Sequence, residues 1–121
     1  MTESVKKNTL SAIERATGHF ADRLSGKLLK YHCDEWDMDI YYQASSSMRI
    51  ESKIMSLTQN GKAADALVES IILKALDQDG NRLFKETDRA ALMNEADPQV
   101  IIKVASQLNN TDDSVETVTK N

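Results

Sequence analysis

Between Leu10 and Leu24 the residues Leu10, Ile13, Thr17, Phe20 and Leu24 recur at alternating steps of three and four, which predicts one side of an amphipathic helix ending near Gly26. Gly18 weakens that helix from within. Beyond Lys27 the period falls to two. Leu29, Tyr31 and Cys33 alternate with Lys30 and His32, and Met38, Ile40 and Tyr42 alternate with Asp37, Asp39 and Tyr41. The link Asp34-Glu35-Trp36 is short and polar at its start, so the two runs read as a β-hairpin. A lone hairpin is marginal in water, and its apolar face must be covered by a helix or by a strand of another chain.

The helical period then returns. Ser45-Ser46-Ser47 offers hydroxyl caps to a helix carrying Met48, Glu51, Ile54, Met55 and Leu57, which stops at Asn60-Gly61. A second helix follows, with Ala64, Leu67, Val68, Ile71, Ile72 and Ala75 on its core side and Lys62, Asp65, Glu69 and Lys74 opposite. ETDRAALM predicts a short helix. Asp97-Pro98 supplies a cap and a first-turn proline for another, whose buried side is Ile101, Val104, Ala105 and Leu108 and whose end is Asn109-Asn110. Residues 111–121 are acidic, lack glycine and aromatics, and read as a flexible tail. The pattern therefore predicts an α+β fold: a mostly helical single domain with a β-hairpin packed against the helices.

Composition narrows the function. With 121 residues, 40% hydrophobic, the chain can build one core and not two. Its 15 basic and 19 acidic side chains leave a net charge of -4, which repels phosphate backbones and argues against nucleic acid. One cysteine, Cys33, excludes an internal disulfide and thiolate metal clusters, and reads as a small apolar strand residue. No apolar run approaches a membrane span and the N-terminus lacks a signal-peptide core, so the expectation is a soluble protein that stays where it is made. G-x-S-x-G, H-E-x-x-H and glycine-rich phosphate loops are absent from the sequence. His19 and His32 have no carboxylate or cysteine partner at useful spacing along the chain and read as solvated surface. A non-enzyme without cofactors is expected.

One stretch suggests chemistry. DQDGNRLFKETD, residues 77–88, places Asp77, Asp79 and Asn81 at the first, third and fifth positions of an EF-hand loop, the Leu83 carbonyl at the seventh and Asp88 at the twelfth. Such a loop needs glycine at its sixth position and a bidentate glutamate at its last; here these are Arg82 and the shorter Asp88. The alternative is a structural turn. In it Asp77 and Asp79 accept bonds from loop N–H groups, Gly80 supplies a positive φ, Phe84 plugs the core, and Thr87 or Asp88 caps the next helix.

The hairpin with Glu35-Trp36 at its turn, the serine-rich helix start, ADALVESIILKAL and the D-x-D-G-N-R-L-F stretch together resemble the tail assembly chaperones of long-tailed bacteriophages. The likeness runs from Gly26 to Asn110 and rests chiefly on Trp36, Asp77, Asp79, Gly80, Leu83, Phe84, Asp88 and Leu92. These are structural or partner-binding positions; none is implied to be catalytic. The helix within residues 1–25 is uncommon for the family, and residues 26–110 form the family-like domain.

The resemblance implies a non-enzymatic protein of the host cell cytoplasm, absent from the mature virion. It would coat the tape measure protein and help deliver tail tube subunits, as a homo-oligomer joined through the hairpin edge or the N-terminal helix. Many members also exist in a longer, frameshifted form. Met38, Met48, Met55 and Met93 are adaptable side chains that could meet a partner, although core positions are the preferred reading of each. Trp36 is expected to anchor the turn on the core. The second function carried forward is a calcium-binding helix-loop-helix module using Asp77, Asp79, Asn81 and Asp88.

Overall fold

A computed structural model describes residues 9–109 of the chain. The predicted tail at 111–121 lies outside the described residues. The described part is a mostly helical α+β domain: α1 (Ala12–Ser25), β1 (Leu29–Cys33), β2 (Met38–Tyr42), α2 (Met48–Gln59), α3 (Ala63–Lys74), a 3-10 turn (Glu86–Asp88), α4 (Arg89–Asn94) and α5 (Pro98–Asn109).

Each boundary has a local cause. At the start of α1 the Ser11 hydroxyl accepts from the Glu14 N–H at 3.2 Å while the Glu14 carboxylate accepts from the Ser11 N–H at 3.0 Å, a reciprocal capping box. Ser47 caps α2 by accepting from the Ile50 N–H. Gly61, at φ +78°, turns the chain out of α2, and the Asp97 carboxylate accepts from the Gln99 N–H to start α5.

The two strands pair antiparallel with Tyr31 opposite Ile40, so Leu29, Tyr31, Cys33, Met38, Ile40 and Tyr42 share the inward face. The four-residue turn Asp34–Asp37 closes with the Asp37 N–H donating to the Asp34 carbonyl, and Asp37 takes the left-handed conformation at φ 51° that aspartate tolerates. Leu76 adds one bridge to the outer edge of β2, exchanging two backbone hydrogen bonds with Tyr41.

The core lies between this hairpin and α3, α4 and α5: Cys33, Ile40 and Tyr42 from the strands, Val68, Ile71, Ile72 and Ala75 from α3, Leu92 from α4, and Val104 and Leu108 among those from α5. Helix α3 is the hub, packed by α2 and α4 as well as α5. Its enclosure overturns part of the sequence expectation. Glu69, assigned to the outer side, is buried, and Ala64, assigned to the core, is exposed. A helix covered from several sides has no single polar face, so the burial of Glu69 follows from its partner, the Arg89 guanidinium at 2.6 Å.

Three of the four methionines assigned to the core are on the surface. Met48, Met55 and Met93 are exposed, while Met38 packs on the core. In α2 the half-buried stripe is Ile50, Ile54 and Leu57, and the two methionines fall outside it. Cys33 is a free, fully buried thiol of the core. Among the described residues no helix is long and apolar enough to cross a membrane.

Candidate functional site

The 77–88 stretch connects α3 to α4 and is built by aspartate and glycine acting on their own backbone. One Asp77 carboxylate oxygen accepts from the Asp79 N–H at 2.9 Å and from the Asn81 N–H at 3.0 Å, while the Gly80 N–H donates to the Asp77 carbonyl. Gly80 holds φ +86°. Asp79 contributes its N–H to this turn and not the carboxylate expected of it.

The left-handed residue therefore sits at the fourth loop position. Arg82, at the sixth, does not have positive φ and instead forms a bridge with Leu76. Asp88, at the twelfth, accepts from the Lys85 N–H at 2.8 Å, capping the 3-10 turn and not the helix after it. An EF-hand needs its sharp turn at the sixth position and its carboxylates converging on one point. Among the described residues no group of three or more His, Cys, Asp or Glu side chains is placed to hold a metal ion. The calcium reading finds no support in this geometry.

After the turn the chain delivers Leu83 and Phe84 onto the core rim. The Leu83 N–H donates to the Ala75 carbonyl, and the Phe84 ring meets Trp36 edge to face at 6.0 Å between centroids. Trp36 thus anchors the hairpin turn on the domain, as expected. A second tie to the same turn runs from Glu35 to the Lys103 ammonium of α5 at 2.5 Å. The hydrogen bond from Lys103 holds the Glu35 carboxyl below its usual range.

Four of the singled-out residues converge. Leu83, Phe84, Asp88 and Leu92, with Ala91 and Glu95, line a shallow groove of about 390 Å³. Trp36 borders it through Phe84, whereas Asp77, Asp79 and Gly80 form the turn leading into it. Apolar walls edged by two carboxylates suit the recognition of another chain.

Sequence reasoning missed the polar network that fixes these elements. Arg89, at the start of α4, reaches Glu69 of α3 and Glu86 at 2.6 and 2.8 Å. The Lys74 ammonium donates to Glu51 of α2 and to the side-chain Oδ1 of Asn109 in α5, and the Asn109 side-chain Nδ2 donates to the Ser70 hydroxyl. Burial pushes the Glu51 carboxyl up, yet the hydrogen bonds from Lys74 and Ser46 outweigh it and the net displacement is downward. His32 also gained a partner that chain spacing hid. Its ring nitrogen lies 2.7 Å from Asp39, directly opposite in the strand register, and that hydrogen bond raises its pKa above 6.5. Only the register, read across the turn, would have revealed it.

Helix α1 stands apart. Phe20 and Leu24 sit against a cleft lined by Ile50, Leu73, Leu76 and Leu108, and Arg23 donates to the Ala44 carbonyl at 2.6 Å. None of its residues is fully buried, and Ile13 on the same stripe is 68% exposed.

No protein-family model and no curated protein matches the chain. Among solved structures, that of the bacteriophage HK97 tail assembly chaperone is similar in fold, with a TM-score of 0.52, 15% sequence identity, and coverage of 83% of this chain and 99% of that one.

Proposed function

We propose that the protein is a non-enzymatic phage tail assembly chaperone that binds the tape measure protein and assists tail tube assembly in the host cytoplasm, without entering the virion. The observation that carries this reading is the fold likeness to the HK97 chaperone across nearly the whole of that chain. The residues support it independently: Trp36, Leu83, Phe84, Asp88 and Leu92, singled out from the sequence, meet around one groove.

The mechanism is masking. A long helical client exposes apolar stripes before the tail tube encloses it, and a helix laid along such a stripe removes it from water. Helix α1 supplies that stripe. It is capped and amphipathic, with Ile13 uncovered beyond the point where Phe20 and Leu24 meet the domain.

The test is a pulldown from cells co-expressing the chain with the tape measure protein of the same gene cluster, run with calcium and with chelator. Co-purification under both conditions, reduced at least about tenfold by Ile13→Asp, is expected from the loss of one apolar anchor. No co-purification of wild type under either condition would overturn the reading.

A further inference from the structure

The turn between α2 and α3 holds a reactive pair. Of the asparagines in the sequence, Asn60 alone precedes a glycine. Its side chain is exposed, and its carboxamide has no hydrogen-bond partner among the described residues. Asn94, by contrast, donates to the Ala90 carbonyl, and Asn109 is tied at both ends of its carboxamide, to Lys74 and to Ser70. Asn81 is followed by Arg82, whose side chain crowds the peptide nitrogen between them.

Gly61 supplies the other half. It has no Cβ to obstruct its nitrogen, an added Cβ would meet nothing within 4 Å, and its φ of +78° sets it outside the helical ladder. A peptide nitrogen in such open space can reach the carboxamide carbon of the residue before it.

The fold restrains that approach without closing it. The Gly61 N–H donates to the Thr58 carbonyl at 3.1 Å and the Lys62 N–H to the Leu57 carbonyl at 2.8 Å. Asn60, at ψ 13°, holds the Gly61 nitrogen away from its own Cγ. These bonds belong to the last turn of an exposed helix end, the part of a helix that opens first.

We propose that Asn60 is a self-modification site, deamidated in the folded chain when the last turn of α2 opens. The Gly61 nitrogen gives its proton to water and attacks the Asn60 Cγ; a five-membered succinimide closes and ammonia leaves. Water then adds to one of the two ring carbonyls and opens the ring, leaving aspartate or isoaspartate at position 60. Water is the only co-reactant, and nothing is oxidised or reduced. In the isoaspartate the main chain runs through Cγ and is one carbon longer, so the Gly61 and Lys62 N–H groups lose their register with Thr58 and Leu57. Either product sets a carboxylate at the negative end of the α2 dipole. The modification therefore loosens the seating of α2 on α3 and leaves the contact of α3 with α5 in place. It needs no partner and is independent of the chaperone reading.

Peptide mapping of the full folded chain, aged in buffer and sampled over days, tests it. The tryptic peptide of residues 54–62 gains about 1 Da, ammonia lost and water gained, and an isoaspartate-specific methyltransferase labels part of the product. Asn60→Gln, which would have to close a larger ring, and Gly61→Ala, which puts a Cβ beside the attacking nitrogen, each slow the gain at least about tenfold. Asn60→Gln keeps the backbone of the turn and serves where Gly61→Ala, strained at φ +78°, fails to fold. Hydrogen exchange of the aged chain quickens at residues 57–62 and not within α3.

A folded chain that keeps its amide at position 60 while the urea-unfolded chain reacts would overturn the proposal, as would Asn60→Gln gaining mass like wild type. Unchanged exchange at residues 57–62 in the modified chain would overturn the loosening of α2.

Discussion

Replacing Arg89 by alanine removes the cation paired with Glu69, whose side chain is 9% exposed on the enclosed helix α3. Breaking one partner of a buried ion pair destabilises by roughly 3–5 kcal/mol because the remaining charge keeps its desolvation penalty. The Arg89 side chain is 32% exposed, so water reaches the pair and the figure must be lowered; about 2–3 kcal/mol is expected. For a domain of this size that lowers Tm by roughly 10–20 °C. Urea unfolding followed by circular dichroism measures it, using Arg89→Ala, Glu69→Leu and the double variant Glu69→Leu/Arg89→Leu. The double variant should recover most of the loss, since apolar side chains leave no orphaned charge. Arg89→Ala within about 0.5 kcal/mol of wild type, an ordinary surface effect, would refute the claim that this pair fastens α4 to α3. So would a double variant no more stable than the single one.

The other expectations concern the turn, the hairpin and the terminal helix. Gly80→Ala should destabilise by about 1–2 kcal/mol because φ +86° strains any residue with a Cβ. Gly18→Ala, with open space around it in α1, should instead raise α1 helicity, worth up to about 1 kcal/mol; thermal melts with matched backgrounds would expose a reversal. The His32 ring should titrate above 6.5 by NMR, because Asp39 stabilises its charged form, and Asp39→Asn should bring it down. The sign follows: a raised folded-state pKa gives stabilisation fully present below the unfolded value and lost as pH rises through the folded one. Millimolar calcium should leave Tm unchanged, and a dose-dependent rise would reopen the EF-hand reading.

What the sequence revealed depended on how many sides of an element are covered. The hairpin is covered on one face, and its alternation named Cys33, Ile40 and Tyr42 as inward before any coordinates. Helix α5 was equally legible, since Val104, Ala105 and Leu108 all face one core. Helix α3 was legible in part: Val68, Ile71, Ile72 and Ala75 are buried as read, but α2, α4 and α5 press on the helix together and Glu69 is satisfied by a residue twenty positions later. Met48 and Met55 were misplaced for the converse reason: α2 is covered on one stripe only, and Ile50, Ile54 and Leu57 occupy it. The loop divided likewise. Local backbone bonds at Asp77 and Gly80 could be anticipated, but the meeting of Phe84 with Trp36 spans the chain and belongs to the tertiary fold.

The order in which the core residues lie along the chain has a consequence during synthesis. The inward face of the hairpin is complete once Tyr42 is made, yet its cover includes Val104 and Leu108 at the far end of α5. At about 5–20 residues per second the ribosome leaves that face without its final cover for several seconds. Over this interval α3 is completed as a covering helix while α5 is not, and Gln107 has not yet reached the Tyr42 hydroxyl. The domain thus closes from its last helix, and a nascent chain halted before Leu108 displays an apolar hairpin that a finished molecule hides.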